Sequence, residues 1–370
     1  MTLTTVRPRW YTDRALQAVV EAATVMLSSA GHAGTVVEVA APSFAGRNGS
    51  WVLTLDSAER VFVKKIAVDK AGEQAFARSV CFAQFARDNP GQAPVGPRLL
   101  AHDADTALLI FEHCPGVSMA QLLIDEAIPE HFSADVGRML ATLHAAPTTN
   151  LTRINPPSPP VAMMANGISQ ERYVQMTLAE LSFWAAIQQD TELVAATTRL
   201  RTEEQANLRA PVHGDLRLDQ FHLRAGTVQL LDWEEFGIGD PARDLGTLAG
   251  EWIYRAVLDT VTSRGGAGAP PLRFDTASAT ARITERMQAF APHIQTMWSA
   301  YRQHQPQSDP ELARRATAHL GWHLIDRTLA RATLVAQLPG IERAAAGIGR
   351  KILLAPQNYA PALGFKEAAP

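Results

Sequence analysis

The chain has 370 residues, of which 46% are hydrophobic and 19% charged, and its formal net charge is −3 at pH 7. This composition is that of a globular protein with room for two hydrophobic cores, and it excludes a disordered chain and a basic nucleic-acid-binding protein. Because the sequence has no apolar run of roughly 18 residues and only two cysteines, we expect a reduced, cytoplasmic protein with no membrane span and no disulfide framework.

The first part of the chain predicts one helix followed by strands. Apolar residues recur at helical spacing over 12–30, where Thr12 or Asp13 is placed to cap the helix. Three segments have the length and β-branched content of strands: Thr35–Val39, Trp51–Leu55 and Arg60–Ile66. Between the first two lies a turn of small residues over 43–50, which is typical either of an ordinary hairpin or of a loop whose N–H groups cover phosphates.

The middle of the chain continues with alternating elements. A helix is predicted over 70–87, a buried strand at 107–111 and another helix over 133–144. Five residues at 156–160, PPSPP, exclude helix and central strand there and predict a linker or flap.

Beyond this linker the chain is predominantly helical. Helices are predicted over 169–188, 191–207, 245–264, 275–304 and 309–337, with a Gly- and Pro-rich break at 265–271. A short buried strand is predicted over 227–231.

The residues that carry chemistry lie around this strand, in HGDLRLDQ at 213–220 and LDWE at 231–234. Phosphoryl transfer needs one carboxylate that accepts the proton of an attacking hydroxyl and a second that holds a metal ion on the nucleotide phosphates. Asp215 fits the first role. Asp232 fits the second, because the preceding strand would deliver its carboxylate rigidly.

These motifs resemble those of the aminoglycoside phosphotransferase and choline kinase family, small relatives of protein kinases. The family's loop reads His-Gly-Asp, four variable residues and Asn, and a strand and a metal-binding Asp follow it. The run GDPARD at 239–244 resembles a further family motif. The resemblance implies an α+β, protein-kinase-like fold with ATP and Mg²⁺ as cofactors. It implies a small β-rich nucleotide-binding lobe over 1–112 and a large, mostly helical lobe over 113–370 for catalysis and substrate binding.

The resemblance also implies a nucleotide site in the first lobe. Lys64 matches the strand lysine that pairs with the α- and β-phosphates, although a solvated lysine at a strand end is the alternative. Glu73 is the only acidic residue of the following helix before Asp88, so it is the candidate partner of Lys64; a first-turn charge favoured by the helix dipole is the alternative.

Two backbone contacts to the nucleotide are implied as well. The end of the small-residue turn, Asn48-Gly49-Ser50, would lie over the phosphates. Glu112 and Cys114 would offer main-chain groups to adenine where the two lobes join, so their side chains should matter little.

In the catalytic loop and at the end of the strand that follows it, the resemblance implies three roles besides that of Asp215 as base. Asp232 would bridge Mg²⁺ to the phosphates, and Gln220 would supply the second metal ligand in place of the family's Asn. Because glutamine is longer by one methylene, the sequence leaves open whether one or two metal ions bind. Arg217 would stabilise the transferring phosphoryl group; pairing with Glu234 or Glu235 is the alternative.

The acceptor is predicted from charge and from a further resemblance. Residues 246–370 carry 14 Lys and Arg against 9 Asp and Glu, a net charge of +5, which disfavours a polycationic aminoglycoside. The run from Asp232 to Trp252 resembles the kinase subunits of class V lanthipeptide and thioamitide biosynthesis. That resemblance implies Ser or Thr of a precursor peptide as acceptor and a separate lyase as partner. An aminoglycoside or other hydroxylated metabolite is the first alternative, and a peptide-binding pseudokinase with weak activity is the second.

Overall fold

The protein is described by a computed structural model that covers residues 13–32, 34–41, 48–149, 151, 160–260, 276–305 and 309–366. The chain divides into two compact units. The first consists mainly of Met1–Ile124 and Asp219–Phe236, and the second of Asp125–Thr149, Asn155–Leu218 and Gly237–Pro370.

Six of the ten strands that the structure describes lie before residue 119, and the second half of the chain is mostly helical. In chain order the strands are β1 (Val36–Ala40), β2 (Gly49–Leu55), β3 (Arg60–Lys65), β4 (Leu99–Asp103), β5 (Leu108–Glu112), β6 (Val117–Ser118), β7 (Ala210–Val212), β8 (Phe221–Arg224), β9 (Thr227–Leu230) and β10 (Gly237–Gly239). The helices are α1 (Arg14–Ser29), α2 (Lys70–Asp88), α3 (Met119–Ile124), α4 (Phe132–His144), α5 (Val161–Asn166), α6 (Gln170–Tyr173), α7 (Leu178–Gln189), α8 (Thr191–Ala206), α9 (Pro241–Asp259), α10 (Thr276–His304), α11 (Leu312–Ala332), α12 (Gly340–Leu354) and α13 (Pro356–Tyr359).

The first unit is built on an antiparallel sheet of five strands in the order β1-β2-β3-β5-β4. Side chains alternate between the two faces of β3, so that Val61 and Val63 are fully buried. Helix α1 packs on this core through Val19, Val20, Ala23 and Leu27. Its first turn is capped by Asp13, whose side chain accepts hydrogen bonds from two backbone N–H groups, as the sequence predicts.

A smaller sheet of the first unit has the order β6-β8-β9. Strands β8 and β9 form a hairpin with Phe221 opposite Leu230, and alternation buries Val228 and Leu230. The predicted strand at 227–231 is therefore confirmed. Pairing of β6 with β8 draws both the segment that follows β5 and this hairpin into the first unit, so the division differs from the predicted boundary after residue 112.

The second unit is mostly helical, and α9 and α11 lie at its centre. A Cβ at Gly246 of α9 would lie 2.2 Å from the carbonyl oxygen of Ala316 in α11. A Cβ at Gly321 of α11 would lie 2.7 Å from the backbone nitrogen of Leu353 in α12. These approaches are closer than any side chain permits, so the two glycines allow tight helix packing.

Some predicted helices differ from those observed. The helix predicted over 169–188 is divided into α6 and α7, because Thr177 and Glu180 form a capping box that starts a new helix. Helix α12 was not predicted.

The turn at 43–47, the prolines at 156–159 and the break at 265–271 lie outside the described residues. None of the helices that the structure describes has the length and hydropathy needed to cross a membrane.

Candidate active site

The loop that begins at His213 is anchored by Asp244, a fully buried residue of α9. Its two carboxylate oxygens accept hydrogen bonds from the backbone N–H groups of His213 and Gly214, each at 2.8 Å. Burial opposes ionisation of Asp244, but the His144 ring at 3.1 Å, His213 and the Gly214 N–H outweigh it and hold the pKa of this carboxyl below its ordinary value. Asp244 is therefore an anionic anchor for the loop, and His144 is a structural partner of that anchor.

The same loop is held from a second side by Arg243. Its Nε donates to the carbonyl oxygen of Gly214 at 2.7 Å, and its guanidinium pairs with buried Glu204 at 2.8 Å. Gly214 has a φ of 90°, a conformation that glycine adopts without strain. The glycine thus permits the turn that Asp244 and Arg243 then fix.

The far end of the loop is held by Glu251, about two helical turns beyond Asp244 on α9. The backbone N–H of Leu218 donates to Glu251 at 3.3 Å, and the His323 ring lies 2.9 Å from the same carboxylate. Burial opposes the ionised form, yet Arg327, His323 and Arg217 lower the pKa of Glu251 to about 2. The carboxylate therefore stays ionised, and the segment from His213 to Leu218 is fixed at both ends.

Asp215 lies on this fixed segment with 38% of its side chain exposed. Its backbone N–H points to the His213 ring at 3.4 Å, and Arg217 contacts its carboxylate at 3.1 Å. A rigid backbone combined with a reachable carboxylate is what a general base requires. The structure brings Arg217 to Asp215.

In the first unit, Lys64 lies among carboxylates. Its Nζ contacts Asp232 Oδ1 at 2.7 Å and Glu234 Oε1 at 2.6 Å, and only 13% of the lysine side chain is exposed. Burial disfavours the ammonium, but the two carboxylates outweigh it and raise the pKa of Lys64 above its ordinary value. Lys64 is thus a charged group next to the predicted metal ligand.

The predicted pairing of Lys64 with Glu73 is not what the structure shows. Glu73 is exposed in the first turn of α2, and Lys64 contacts Asp232 and Glu234 instead. The buried face of α2 carries Arg78, which pairs with Glu235 at 2.7 Å. The buried face of α2 thus presents the guanidinium of Arg78 and no carboxylate to the segment after β9. The carboxylates that contact Lys64, those of Asp232 and Glu234, come from that segment instead.

The backbone changes direction at Asp232, whose φ is 67°. This left-handed conformation is uncommon for residues other than glycine and is best tolerated by Asn and Asp. Gln220, which is 4% exposed, lies across the hairpin, where its main-chain carbonyl oxygen accepts a hydrogen bond from Leu231 N–H at 3.0 Å. The structure therefore sets the backbones of both predicted metal ligands, Asp232 and Gln220, at the same end of the β8–β9 hairpin.

The residues predicted to cover the phosphates lie at the start of β2. Gly49 and Ser50 pair with Lys65 and Lys64 in the β2–β3 ladder. Asn48 precedes them, and its side-chain amide donates to Glu234 at 2.7 Å. The structure thus brings Asn48, Gly49 and Ser50 beside Lys64; their contact with a nucleotide stays a prediction.

The two residues predicted to meet adenine lie at the end of β5, where Glu112 is the last residue of the strand and Cys114 follows it. The Glu112 side chain pairs with Arg98 at the surface. The Cys114 thiol donates to the side-chain oxygen of Gln229 at 2.9 Å, and burial raises its pKa. These contacts occupy the two side chains, and the contact of their main-chain groups with a nucleotide stays a prediction.

The roles of two acidic residues of the site, Glu234 and Glu251, were missed by the sequence analysis. Glu234 stands two residues after Asp232, and a signal was present in the pair of glutamates within WEEF at 233–236. Glu251 gives no local signal, because its contact with Leu218 spans 33 positions of the chain.

A family model, the phosphotransferase enzyme family APH, matches residues 45–273, which is more than half of the chain. The chain belongs to this family. The resemblance drawn from HGDLRLDQ and LDWE is thereby confirmed, and the protein is an ATP-dependent phosphotransferase. No curated protein sequence matches the chain.

Two solved structures share the fold over nearly the whole length. Amicoumacin kinase hAmiN, in complex with AMP-PNP, Ca²⁺ and Ami, is 14% identical with a TM-score of 0.52, over 92% of this chain and 93% of that one. The GDP complex of wild-type aminoglycoside 2'-phosphotransferase-IIIa is 11% identical with a TM-score of 0.50, over 91% of this chain and 99% of that one. At these identities the likeness concerns the fold alone, and it confirms the predicted α+β, protein-kinase-like class.

Proposed function

We propose that this phosphotransferase moves the γ-phosphate of ATP to a hydroxyl group, with Asp215 as general base and Asp232 as metal ligand. The observation that carries the proposal is the cluster around Lys64, whose ammonium lies 2.7 Å from Asp232 and 2.6 Å from Glu234. The cluster combines an ammonium group, which can bind phosphate, with carboxylate oxygens, which are the ligands that Mg²⁺ prefers.

The residues present fit a divalent cation. Asp232 offers a carboxylate and Gln220 an amide oxygen. The Asp232 carboxylate already forms an ion pair with the ammonium of Lys64. When bound together with ATP, Mg²⁺ supplies neutralisation of charge on the β- and γ-phosphate oxygens. With Asp232 committed to such an ion, Lys64 would donate to phosphate oxygens. The AMP-PNP and Ca²⁺ named with amicoumacin kinase support this use of ATP and a divalent ion.

The transfer itself needs little from the protein beyond position and charge. The acceptor oxygen bonds to the γ-phosphorus, the bond from that phosphorus to the β,γ-bridging oxygen breaks, and ADP leaves. The hydroxyl proton passes to Asp215. Arg217, which lies 3.1 Å from that carboxylate, would stabilise the negative charge of the transferring group.

A substitution series at Gln220 tests its role toward the metal. We expect Gln220→Asn to keep activity or to change the preference between Mg²⁺ and Mn²⁺, because asparagine retains the amide oxygen. Gln220→Leu fills the same buried volume but offers no oxygen to a metal ion, so it should lower activity about tenfold or more. The measurement is the initial rate against the concentration of each ion. Equal rates for wild type and Gln220→Leu at every concentration of both ions would exclude Gln220 as a ligand.

For the acceptor we propose Ser or Thr of a precursor peptide, with a lyase partner that then eliminates phosphate. The net charge of +5 over residues 246–370 supports an acceptor that is not a polycation, because buried amines need paired carboxylates. The likeness of the run from Asp232 to Trp252 to peptide-modifying kinase subunits supports it as well.

An exposed apolar patch on the second unit also supports a peptide. Tyr173, Val174, Leu178 and Leu334 are 55%, 72%, 69% and 74% exposed, respectively. The two segments that carry them are joined by a hydrogen bond from Thr177 to the carbonyl oxygen of Ala332 at 2.7 Å. Exposed apolar side chains on neighbouring segments are typical of surfaces that bind other chains.

A small hydroxylated metabolite is the second candidate, favoured by the substrates named for amicoumacin kinase and the aminoglycoside enzyme.

Both candidates are tested by parallel incubations with Mg·ATP, one with an aminoglycoside panel and one with the precursor peptide encoded nearby. Mass spectrometry then reports the added phosphoryl group. We expect it on the peptide in the wild type and on neither acceptor with Asp215→Asn. Efficient phosphorylation of an aminoglycoside with an unmodified peptide would overturn the peptide proposal and leave the mechanism intact.

A further inference from the structure

The predicted arrangement pairs the strand lysine Lys64 with a carboxylate on the following helix, α2. The structure shows a different arrangement, in which the buried face of α2 carries a cation. Helix α2, which packs against β5 through Ala75, has arginine at a buried position: Arg78 is 4% exposed and contacts Glu235. Its acidic residue, Glu73, is exposed in the first turn. The carboxylates that reach Lys64 both come from the segment that follows β9.

We propose that Glu234 is the positioning residue that holds Lys64 for the phosphates of ATP, in the place of a carboxylate on α2. The inference rests on the proposed function. Glu234 Oε1 lies 2.6 Å from Lys64 Nζ and accepts a second hydrogen bond from Asn48 at 2.7 Å. One carboxylate oxygen therefore joins the strand lysine to Asn48, which precedes β2 and is among the residues predicted to cover the phosphates.

Glu234 is better suited to this task than Asp232, although both contact the lysine. As the proposed metal ligand, Asp232 would commit its oxygens to a cation and would then be the weaker partner of Lys64. Glu234 is the more buried of the two, with 16% of its side chain exposed against 30% for Asp232. Its bonds to Lys64 and Asn48 involve no metal ion, so Glu234 would still hold Lys64 with Asp232 committed to a cation.

The neighbours of Glu234 fix its position. Trp233 stacks on Phe82 of α2 with ring centroids 3.5 Å apart and planes 5° from parallel. On the other side, Glu235 pairs with Arg78 of the same helix. Phe236 makes a T-shaped contact with Phe82, with ring centroids 5.2 Å apart. The segment is thus docked on α2 at both sides of Glu234, and this leaves Glu234 directed at Lys64.

The experiment compares three Glu→Gln substitutions in the otherwise intact protein. Glu234→Gln removes the charge that faces Lys64, Glu235→Gln removes the charge that faces Arg78, and Glu73→Gln changes an exposed glutamate of α2. For each we would measure the dissociation constant of a fluorescent ATP analogue, KM for ATP, kcat and the melting temperature. Binding requires no acceptor, so it reports on Glu234 even if the acceptor has been misidentified.

We expect Glu234→Gln to raise KM for ATP and the dissociation constant about tenfold, with kcat changed far less, because a charge-assisted contact to Lys64 is lost. Glu234→Asp should recover part of the affinity. Glu235→Gln should lower the melting temperature and leave KM near that of the wild type, and Glu73→Gln should change neither.

Three results would overturn the proposal. One is wild-type nucleotide affinity in Glu234→Gln. Another is an equal rise in KM for Glu73→Gln or Glu235→Gln, because helix α2 or the docking of the segment would then control binding. The third is a Glu234→Asp variant as weak as Glu234→Gln with the same loss of melting temperature, which indicates a structural role. Failure of transfer in all proteins with intact nucleotide binding would instead contradict the proposed function.

Discussion

Replacing Asp215 by Asn should abolish phosphate transfer and leave the affinity for Mg·ATP unchanged. The carboxamide keeps the shape of the side chain but accepts no proton from the acceptor hydroxyl, and general-base assistance accounts for about 10²–10⁴-fold in rate at such sites. Binding should persist because Lys64, Asp232 and Gln220 are unaltered. The measurement is the single-turnover rate of phosphoryl transfer, together with the dissociation constant of the ATP analogue.

The fold should tolerate this change, since 38% of the Asp215 side chain is exposed and the loop is held by backbone bonds to Asp244 and Glu251. An unchanged melting temperature is therefore the control. Retention of more than about a tenth of the wild-type rate would show that Asp215 is not the base.

Asp232→Asn should also abolish transfer, but through loss of the metal. The neutral amide is a weaker ligand for Mg²⁺, so the metal-dependent part of ATP affinity should disappear. Lys64 keeps Glu234 as partner, at 2.6 Å, so metal-independent binding should remain. Titration of the ATP analogue with and without a chelator measures both parts. In the wild type the chelator should weaken binding, and in Asp232→Asn it should make no difference.

An Asp232→Asn protein that binds Mg·ATP with a normal response to the chelator would place the metal elsewhere. Asp215→Asn, which should respond to the chelator as the wild type does, is the matched control. The pair of variants separates the two carboxylates by the step that each one serves.

The sequence singled out the loop at 213–220 and the strand before Asp232 because both have a local signal. The loop motif holds the candidate base and a candidate metal ligand within 213–220, and the alternation in β9 is visible in its own residues. Lys64 was predicted from its place after Val61-Phe62-Val63, a run that resembles the kinase strand, and this signal is local as well.

The partner of Lys64 could not be predicted in this way. A helical pattern shows which face of α2 is buried, but it does not show which charge another segment brings to that face. Asp232 lies 168 positions from Lys64 and reaches it only through tertiary structure. Arg78 on the buried face was the available signal, because a buried guanidinium requires a carboxylate from elsewhere.

Boundaries and short elements were missed for a related reason. Strands β6, β7 and β10 have two or three residues, too few to show a period of two. The break between α6 and α7 did have a local signal in the capping pair Thr177 and Glu180, which the apolar periodicity over 169–188 concealed.

The central claim is that this chain transfers phosphate by means of Asp215 and does not merely bind nucleotide. The most direct test is ADP formation from Mg·ATP by the wild type and by Asp215→Asn, with water, the peptide and the metabolite panel as acceptors. We expect the wild type to form ADP together with a phosphorylated acceptor, and Asp215→Asn to bind ATP equally well and to form neither. A wild-type protein that binds Mg·ATP but forms no ADP with any acceptor would contradict this claim and identify a pseudokinase.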